Sequence, residues 1–147
     1  MGTTAKFVKL NEKAITPSRG SEKAAGWDLC ACIDENIRIP EHETVKIGTG
    51  LAITPPPGYF GAIFARSGIA TKRGLKPANC VGVCDEDYTG EYIVAIHNDT
   101  EYLQIVEPGE RIAQLVFLPY LDVQFEEVES LETTARGAGG FGSTGSK

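Results

Sequence analysis

Three carboxylates stand in a row at Asp85, Glu86 and Asp87, followed by Tyr88, Thr89 and Gly90. Adjacent carboxylates repel one another, so a turn that carries three of them faces a cation, a proton to accept, or water. Val81 and Val83 alternate with Cys80, Gly82 and Cys84 before the cluster, and a β-branched alternation resumes over residues 92–97. The pattern predicts a hairpin with the acidic residues at its tip. A calcium loop is excluded. Asp85, Asp87 and Gly90 fall on EF-hand positions, but Ile96 stands where a bidentate Glu is required and the flanks are strands. On the residues alone a solvated turn and a chemically active one both remain open.

Four other places hold polar groups in unusual settings. Asp28 interrupts the otherwise apolar strand predicted over 27–32, and Gln114 interrupts another over 111–118; each faces solvent, a backbone partner or a ligand. Residues 65–74 read as a short helix entered from a strand, with Ser67 as N-cap and Gly74 just past its end. Its free N–H groups, with Arg66 beside them and Ser67 and Gly68 at the entry, suit either a phosphate or an ordinary capped turn. The tail from Arg136 holds Phe141, Gly142, Ser143 and Thr144 in a glycine-rich context. It is a disordered end or a ligand wrap. It matches G-x-G-x-x-G at Gly137, Gly139 and Gly142, yet no strand–helix unit follows, and the phosphate-loop pattern fails because Ser146 stands where Lys is needed.

The cysteines and histidines do not suggest a metal. Cys30 and Cys32 are separated by one residue, not two to four, and with Cys80 and Cys84 they read as buried reduced thiols. His42 falls in a charged loop and His97 at a strand end, neither with a partner at metal spacing in the sequence.

The elements that must position these groups are short strands. A chain of 147 residues, 41% apolar, supports one domain with a sizeable core. Its 17 Gly and 8 Pro are scattered, so tight turns and an all-β fold are expected. Strands are predicted over 7–10, 27–32, 36–39, 43–47, 51–53, 59–64, 103–106, 111–118 and 123–128, at the spacing of a sandwich or barrel. Gly48-Thr49-Gly50 and the Pro55–Gly58 run read as breaks. The net charge of −6 argues against a nucleic-acid partner, which would require clustered cations. Without an apolar run near ~18 residues or a signal-peptide core at 1–10, a soluble, cytoplasmic protein with no membrane partner is expected.

Five segments in order then resemble the five motifs of the trimeric all-β dUTP pyrophosphatases, the dUTPase family. They are Ala25-Gly26-Trp27-Asp28-Leu29, Ala65-Arg66-Ser67-Gly68, Gly82 through Gly90, Gly109 through Leu115, and Arg136 through Gly145. Phe64-Ala65 replaces the commoner Ala-Pro, Trp27 the usual Tyr and Cys84 the usual aliphatic residue, none of them a polar group the chemistry needs.

The resemblance implies a single-domain distorted jelly-roll barrel over 1–133, with one short helix, and a flexible Gly-rich arm over 134–147 closing over a neighbouring active site. It implies Mg²⁺-dependent hydrolysis of dUTP to dUMP and pyrophosphate by water attack on the α-phosphorus. Asp85 would deprotonate the water, Tyr88 would stack on deoxyribose and exclude a 2′-hydroxyl, and Asn79 with the hairpin backbone would read uracil. Arg66, Ser67 and Gly68 would hold phosphates, Gln114 would bind near the α-phosphate, and Asp28 would reach Mg²⁺ through water. The arm residues Arg136, Phe141, Gly142, Ser143 and Thr144 would close over the substrate. Asn79 and Asp85 would lie ~20 Å apart if extended, so the segment must bend, and Gly82 is the residue expected to permit it. A homotrimer with shared sites is also implied. Two rivals stand beside this reading: a dCTP deaminase on the same fold, which would lack this tail pattern, and a non-catalytic β-domain that retains the motifs.

Overall fold

The computed structural model of the chain describes residues 3–145. Ten strands and one helix follow in order: β1 (Lys6–Lys9), β2 (Trp27–Cys30), β3 (Ile37–Ile39), β4 (Thr44–Thr54), β5 (Tyr59–Phe64), α1 (Ser67–Arg73), β6 (Leu75–Pro77), β7 (Gly82–Cys84), β8 (Glu91–Asn98), β9 (Gln104–Val106) and β10 (Arg111–Pro119). One sheet has the order β1-β4-β8-β6, a second β2-β10-β5-β7, and β3 pairs with β9. Every ladder is antiparallel. The all-β expectation stands, as a distorted jelly roll with one short helix. Its core is filled by inward residues such as Leu29, Ile47, Leu51, Ile96, Ile112 and Leu115, all buried. In β8 burial alternates residue by residue, the period-2 signature of a strand with one face inward.

Several local expectations are corrected. The segments 43–47 and 51–53 are one strand, β4, with Gly48-Thr49-Gly50 as an irregularity inside it. The break is bridged by side chains: Thr49 Oγ1 donates to the Tyr92 carbonyl at 2.7 Å, and the Gly50 N–H donates to Glu91 Oε1 at 2.8 Å. Gly50, at φ 68, lies where a Cβ would stand 2.8 Å from both Ala14 Cβ and Cys32 Sγ, so the strand survives because that residue is glycine.

The predicted hairpin does not form. β7 pairs with β5 and β8 with β4 and β6, so residues 85–90 form a corner between the two sheets. The bend between Asn79 and Asp85 occurs at Cys80, whose φ is 63, not at Gly82. Gly82 sits in β7, where a Cβ would come within 3.1 Å of Ile63, so it serves close packing onto β5. Ser67 is the first residue of α1, not its cap; Arg66 occupies the cap position and makes no side-chain cap bond. Gly74 ends the helix in the left-handed conformation, as expected. β6 was not anticipated, and the alternating segment 123–128 forms no strand.

Candidate active site

The first polar group assembles on the β2-β10-β5 sheet. Register places Asp28 opposite Gln114, and Gln114 opposite Phe64, so three strands bring two motifs beside the start of α1. Asp28 accepts from Arg66 Nε at 2.7 Å through Oδ1 and lies 3.4 Å from Arg111 Nη1 through Oδ2. Its side chain is 12% exposed, so the carboxylate fixes both guanidiniums from a sheltered position. Gln114 Nε2 donates to the Ala65 carbonyl at 2.8 Å, which gives the lone amide of β10 its partner and ties it to the residue before Arg66. Gly26 makes room for that amide: a Cβ there would stand 2.2 Å from Gln114 Oε1.

Ser67 and Gly68 are exposed, and the space where a Gly68 side chain would project is open. No side chain caps α1, so its first N–H groups, beside Arg66, are left without a cap partner. The far end of α1 is fastened by Arg73, which pairs with Glu110 and bonds Gln104 at 3.2 Å. The helix and the 109–115 segment are therefore one unit.

The second group forms at the 85–90 corner. Its three carboxylates separate by role. Glu86 Oε2 accepts from the Gly58 N–H at 2.9 Å and from the Tyr120 hydroxyl at 2.8 Å, contacts that hold its carboxyl below the ordinary range. Glu86 thereby anchors the corner to the 55–58 turn and the end of β10. Asp85 and Asp87 are exposed, and among the described residues neither side chain has a hydrogen-bond partner. The Tyr88 N–H donates to the Asp85 carbonyl at 3.1 Å, closing a tight turn that carries both residues. Asp85 also lines a cleft of about 640 Å³ with Phe60, Val83, Asp87 and Tyr120. A second groove, apolar and about 420 Å³, is lined by Phe7, Trp27, Tyr59 and Phe117 among others and offers no charged side chain for phosphate chemistry.

The two polar groups do not meet within one chain. Cys84 is in register with Gly61 and Gly82 with Ile63, so β7 delivers Asp85 toward the Phe60 end of β5 while Arg66 follows the other end. The six residue steps from Phe60 to Arg66 span ~20 Å. Asn79 is exposed at the turn before β7. The tail stands apart from both groups: Arg136 Nε bonds the Gly139 carbonyl at 2.9 Å, Phe141 is fully exposed at φ 49, and Gly142, Ser143 and Thr144 lie in successive turns.

The cysteines also depart from expectation, since Cys80 is exposed while Cys30 and Cys84 are buried. The histidines depart further: His42 and His97, 55 residues apart and without local spacing, converge in space with Asp99. No helix among the described residues is long and apolar enough to cross a membrane.

Comparison with known proteins gives these features a context. A deoxyuridine 5′-triphosphate nucleotidohydrolase of Desulfitobacterium hafniense is 46% identical over 140 residues, covering 95% of this chain and 93% of its own. The protein of the same description from Acinetobacter baylyi is 43% identical over the same coverage. The solved dUTPase of Staphylococcus bacteriophage 80alpha with dUpNHpp superposes with a TM-score of 0.88 at 30% identity, over 97% of this chain and 98% of that one. With the dUTPase family model matching residues 12–145 as well, the chain belongs to the dUTPase family.

Proposed function

We propose that this chain hydrolyses dUTP to dUMP and pyrophosphate, with Asp85 as the base. The observation that carries the assignment is the separation of roles at the acidic corner: Glu86 is fixed by two hydrogen bonds, while Asp85 stays unpaired beside Tyr88. A carboxylate that no other side chain engages is free to take a proton from water. That water forms the new bond to the α-phosphorus, the bond to the β-phosphate bridging oxygen breaks, and pyrophosphate departs. Arg66, oriented by Asp28, and the uncapped N–H groups near Ser67 and Gly68 suit the phosphates. Gln114, held by Ala65, presents its remaining amide capacity near them. Tyr88 sits where it would pack on deoxyribose, with Asn79 and the neighbouring backbone reading the base. The family relatives act on deoxyuridine triphosphate, and the bacteriophage 80alpha protein binds dUpNHpp, which supports this substrate.

A Mg²⁺ ion fits only indirectly. Both Asp28 oxygens face guanidiniums, so direct ligation does not suit this carboxylate, and contact across a water is the mode its remaining lone pairs allow. Carried by the triphosphate, the ion would supply positive charge that a chain of net charge −6 lacks.

Because the Arg66 and Asp85 groups lie at opposite ends of β5, a complete site needs them from different chains. We therefore propose a homotrimer with shared sites, in which a domain over 1–133 carries both groups and the arm over 134–147 closes on a neighbour with Arg136, Phe141, Gly142, Ser143 and Thr144.

Purified protein with Mg²⁺ and dUTP should release pyrophosphate and acid, well ahead of dCTP, dTTP or UTP. Asp85→Asn should bind dUTP yet lose ~10²–10⁴-fold in kcat, the usual cost of removing a general base. Turnover within threefold of the parent would reject Asp85 as that base.

A further inference from the structure

The two histidines of this chain are its only ones, and the fold brings both to one place. His42 stands in the turn between β3 and β4, and His97 lies near the end of β8. One donor atom from each, with a carboxylate oxygen of Asp99, lie within 4.8 Å of one another. The geometry points to a binding site for a borderline divalent transition ion, Zn²⁺ being the probe of that class, formed by His42, His97 and Asp99 on the β1-β4-β8-β6 sheet. This site is separate from the Asp28 and Asp85 groups and does not depend on the proposed activity.

The scaffold beneath it is rigid. Asn98, between two of the three residues, is fully buried, and its amide donates to the carbonyls of Ile39 and Pro40 at 3.0 Å each and of Tyr102 at 2.7 Å. One side chain thus fastens the His42 turn to the end of β8. His42 itself holds φ 57, a left-handed conformation uncommon outside glycine, and so keeps its place by the turn's own bonds, including Glu43 N–H to the Pro40 carbonyl at 3.2 Å.

The surrounding groups match what surrounds a ligating histidine. His97 Nδ1 lies 3.0 Å from Thr44 Oγ1; with Nδ1–H donating there, the Nε2 lone pair is left free, 3.9 Å from Asp99 Oδ1. His42 Nε2 lies 3.0 Å from Glu101 Oε1, so Glu101 serves as the acceptor that orients the ring and leaves Nδ1 for the ion. Lys76 Nζ bonds Asp99 Oδ2 at 2.8 Å and leaves Oδ1 for the ion. Two imidazoles with one carboxylate are a donor set for Zn²⁺ or its neighbours, whereas Mg²⁺ and Ca²⁺ take oxygen alone. Donors around a tetrahedral ion at ~2.1 Å stand about 3.4 Å apart, so the cluster must tighten by roughly an ångström. Side chains as exposed as His42 and Asp99, each about half accessible, can make that move.

The competing account is two surface ion pairs, His42 with Glu101 and His97 with Asp99, that need no metal. Chelator-treated full-length protein titrated with Zn²⁺ by calorimetry, without nucleotide, separates the two. One Zn²⁺ per chain is expected. Affinity should fall at least about tenfold in His42→Gln, a turn substitution at an exposed side chain, and in His97→Ala, while Cys80→Ser binds as the parent does. Co²⁺ in place of Zn²⁺ should give visible bands without thiolate charge transfer. A parent that binds no Zn²⁺, a His42→Gln affinity within twofold of the parent, or binding lost with Cys80→Ser would each overturn the site.

Discussion

Tyr88 is held from three sides. Its hydroxyl donates to the Glu91 carbonyl at 2.8 Å, its ring stacks on Tyr92 with centroids 6.3 Å apart, and it crosses Gly90 so closely that a Cβ there would stand 2.5 Å from the phenolic oxygen. Gly90 is therefore part of the tyrosine's seat, a role invisible when the residue is read only as a turn signal. The contacts divide into one hydrogen bond and a packed ring, and substitutions can remove them one at a time. Tyr88→Ala should raise UTP turnover relative to dUTP by about tenfold or more, since an emptied cavity admits a hydroxyl without touching the base contacts. Tyr88→Phe, which loses only the Glu91 bond, should keep the sugar discrimination. Competition assays with UTP and dCTP check this. If both rise together in Tyr88→Ala, the ring is holding the corner and not gating the sugar.

Strand identity was legible in the sequence where an apolar run stood between clear breaks: β5 was located residue for residue, and β8 through its β-branched run. Which strand pairs with which was not. The alternation at 80–84 and 92–97 is the same whether the two strands form a hairpin or turn a corner, because period 2 reports a buried face and not a neighbour. The Gly48-Thr49-Gly50 break was misread for a related reason. Its repair comes from Thr49 and Glu91 side chains, and Glu91 is about forty positions away in the chain.

The thiols follow the strands that carry them. Cys84, inward on β7, has its thiol pushed up to about 11 by burial, and burial also raises Cys30 and Cys32. A raised thiol pKa keeps the group protonated at pH 8, and the protonated form is the poor nucleophile. Iodoacetamide at that pH should therefore modify native protein first at exposed Cys80, giving one adduct by intact mass, with the other three following only on unfolding. Cys84 labelling as fast as Cys80 would mean that β7 is not seated on β5.

At the scale of the whole molecule, one chain leaves apolar side chains without cover. The segment after β10 presents Leu121, Val123 and Phe125 on alternate positions, Phe125 fully exposed, and Phe141 in the tail is equally bare. A stretch patterned as a strand but unpaired in its own chain suits a neighbouring copy. The distance along β5 between Arg66 and Asp85 asks for the same neighbour. The candidate site residues stand out in the sequence as motifs, but nothing in their order could reveal that two of them sit at opposite ends of one strand.

The shared-site trimer can be tested with two inactive proteins. One carries Asp85→Ala with its tail intact. The other ends at Thr134, keeping Asp85 but losing Arg136, Phe141, Ser143 and Thr144. Each alone should hydrolyse dUTP poorly, the first for want of a base and the second for want of the arm that orders the triphosphate and excludes water. The two are then refolded together. In a threefold ring with heterologous contacts, every mixed trimer has a single junction at which an intact Asp85 meets an intact tail from the next chain. Random mixing of equal amounts makes three trimers in four mixed, each with one working site in three, so about a quarter of parental activity should return. If one chain supplied both groups, every site in every mixed trimer would still lack one of them. Heterotrimers verified by mass that release no pyrophosphate would exclude sharing between Asp85 and the tail, and would leave the arm as a flap on its own chain.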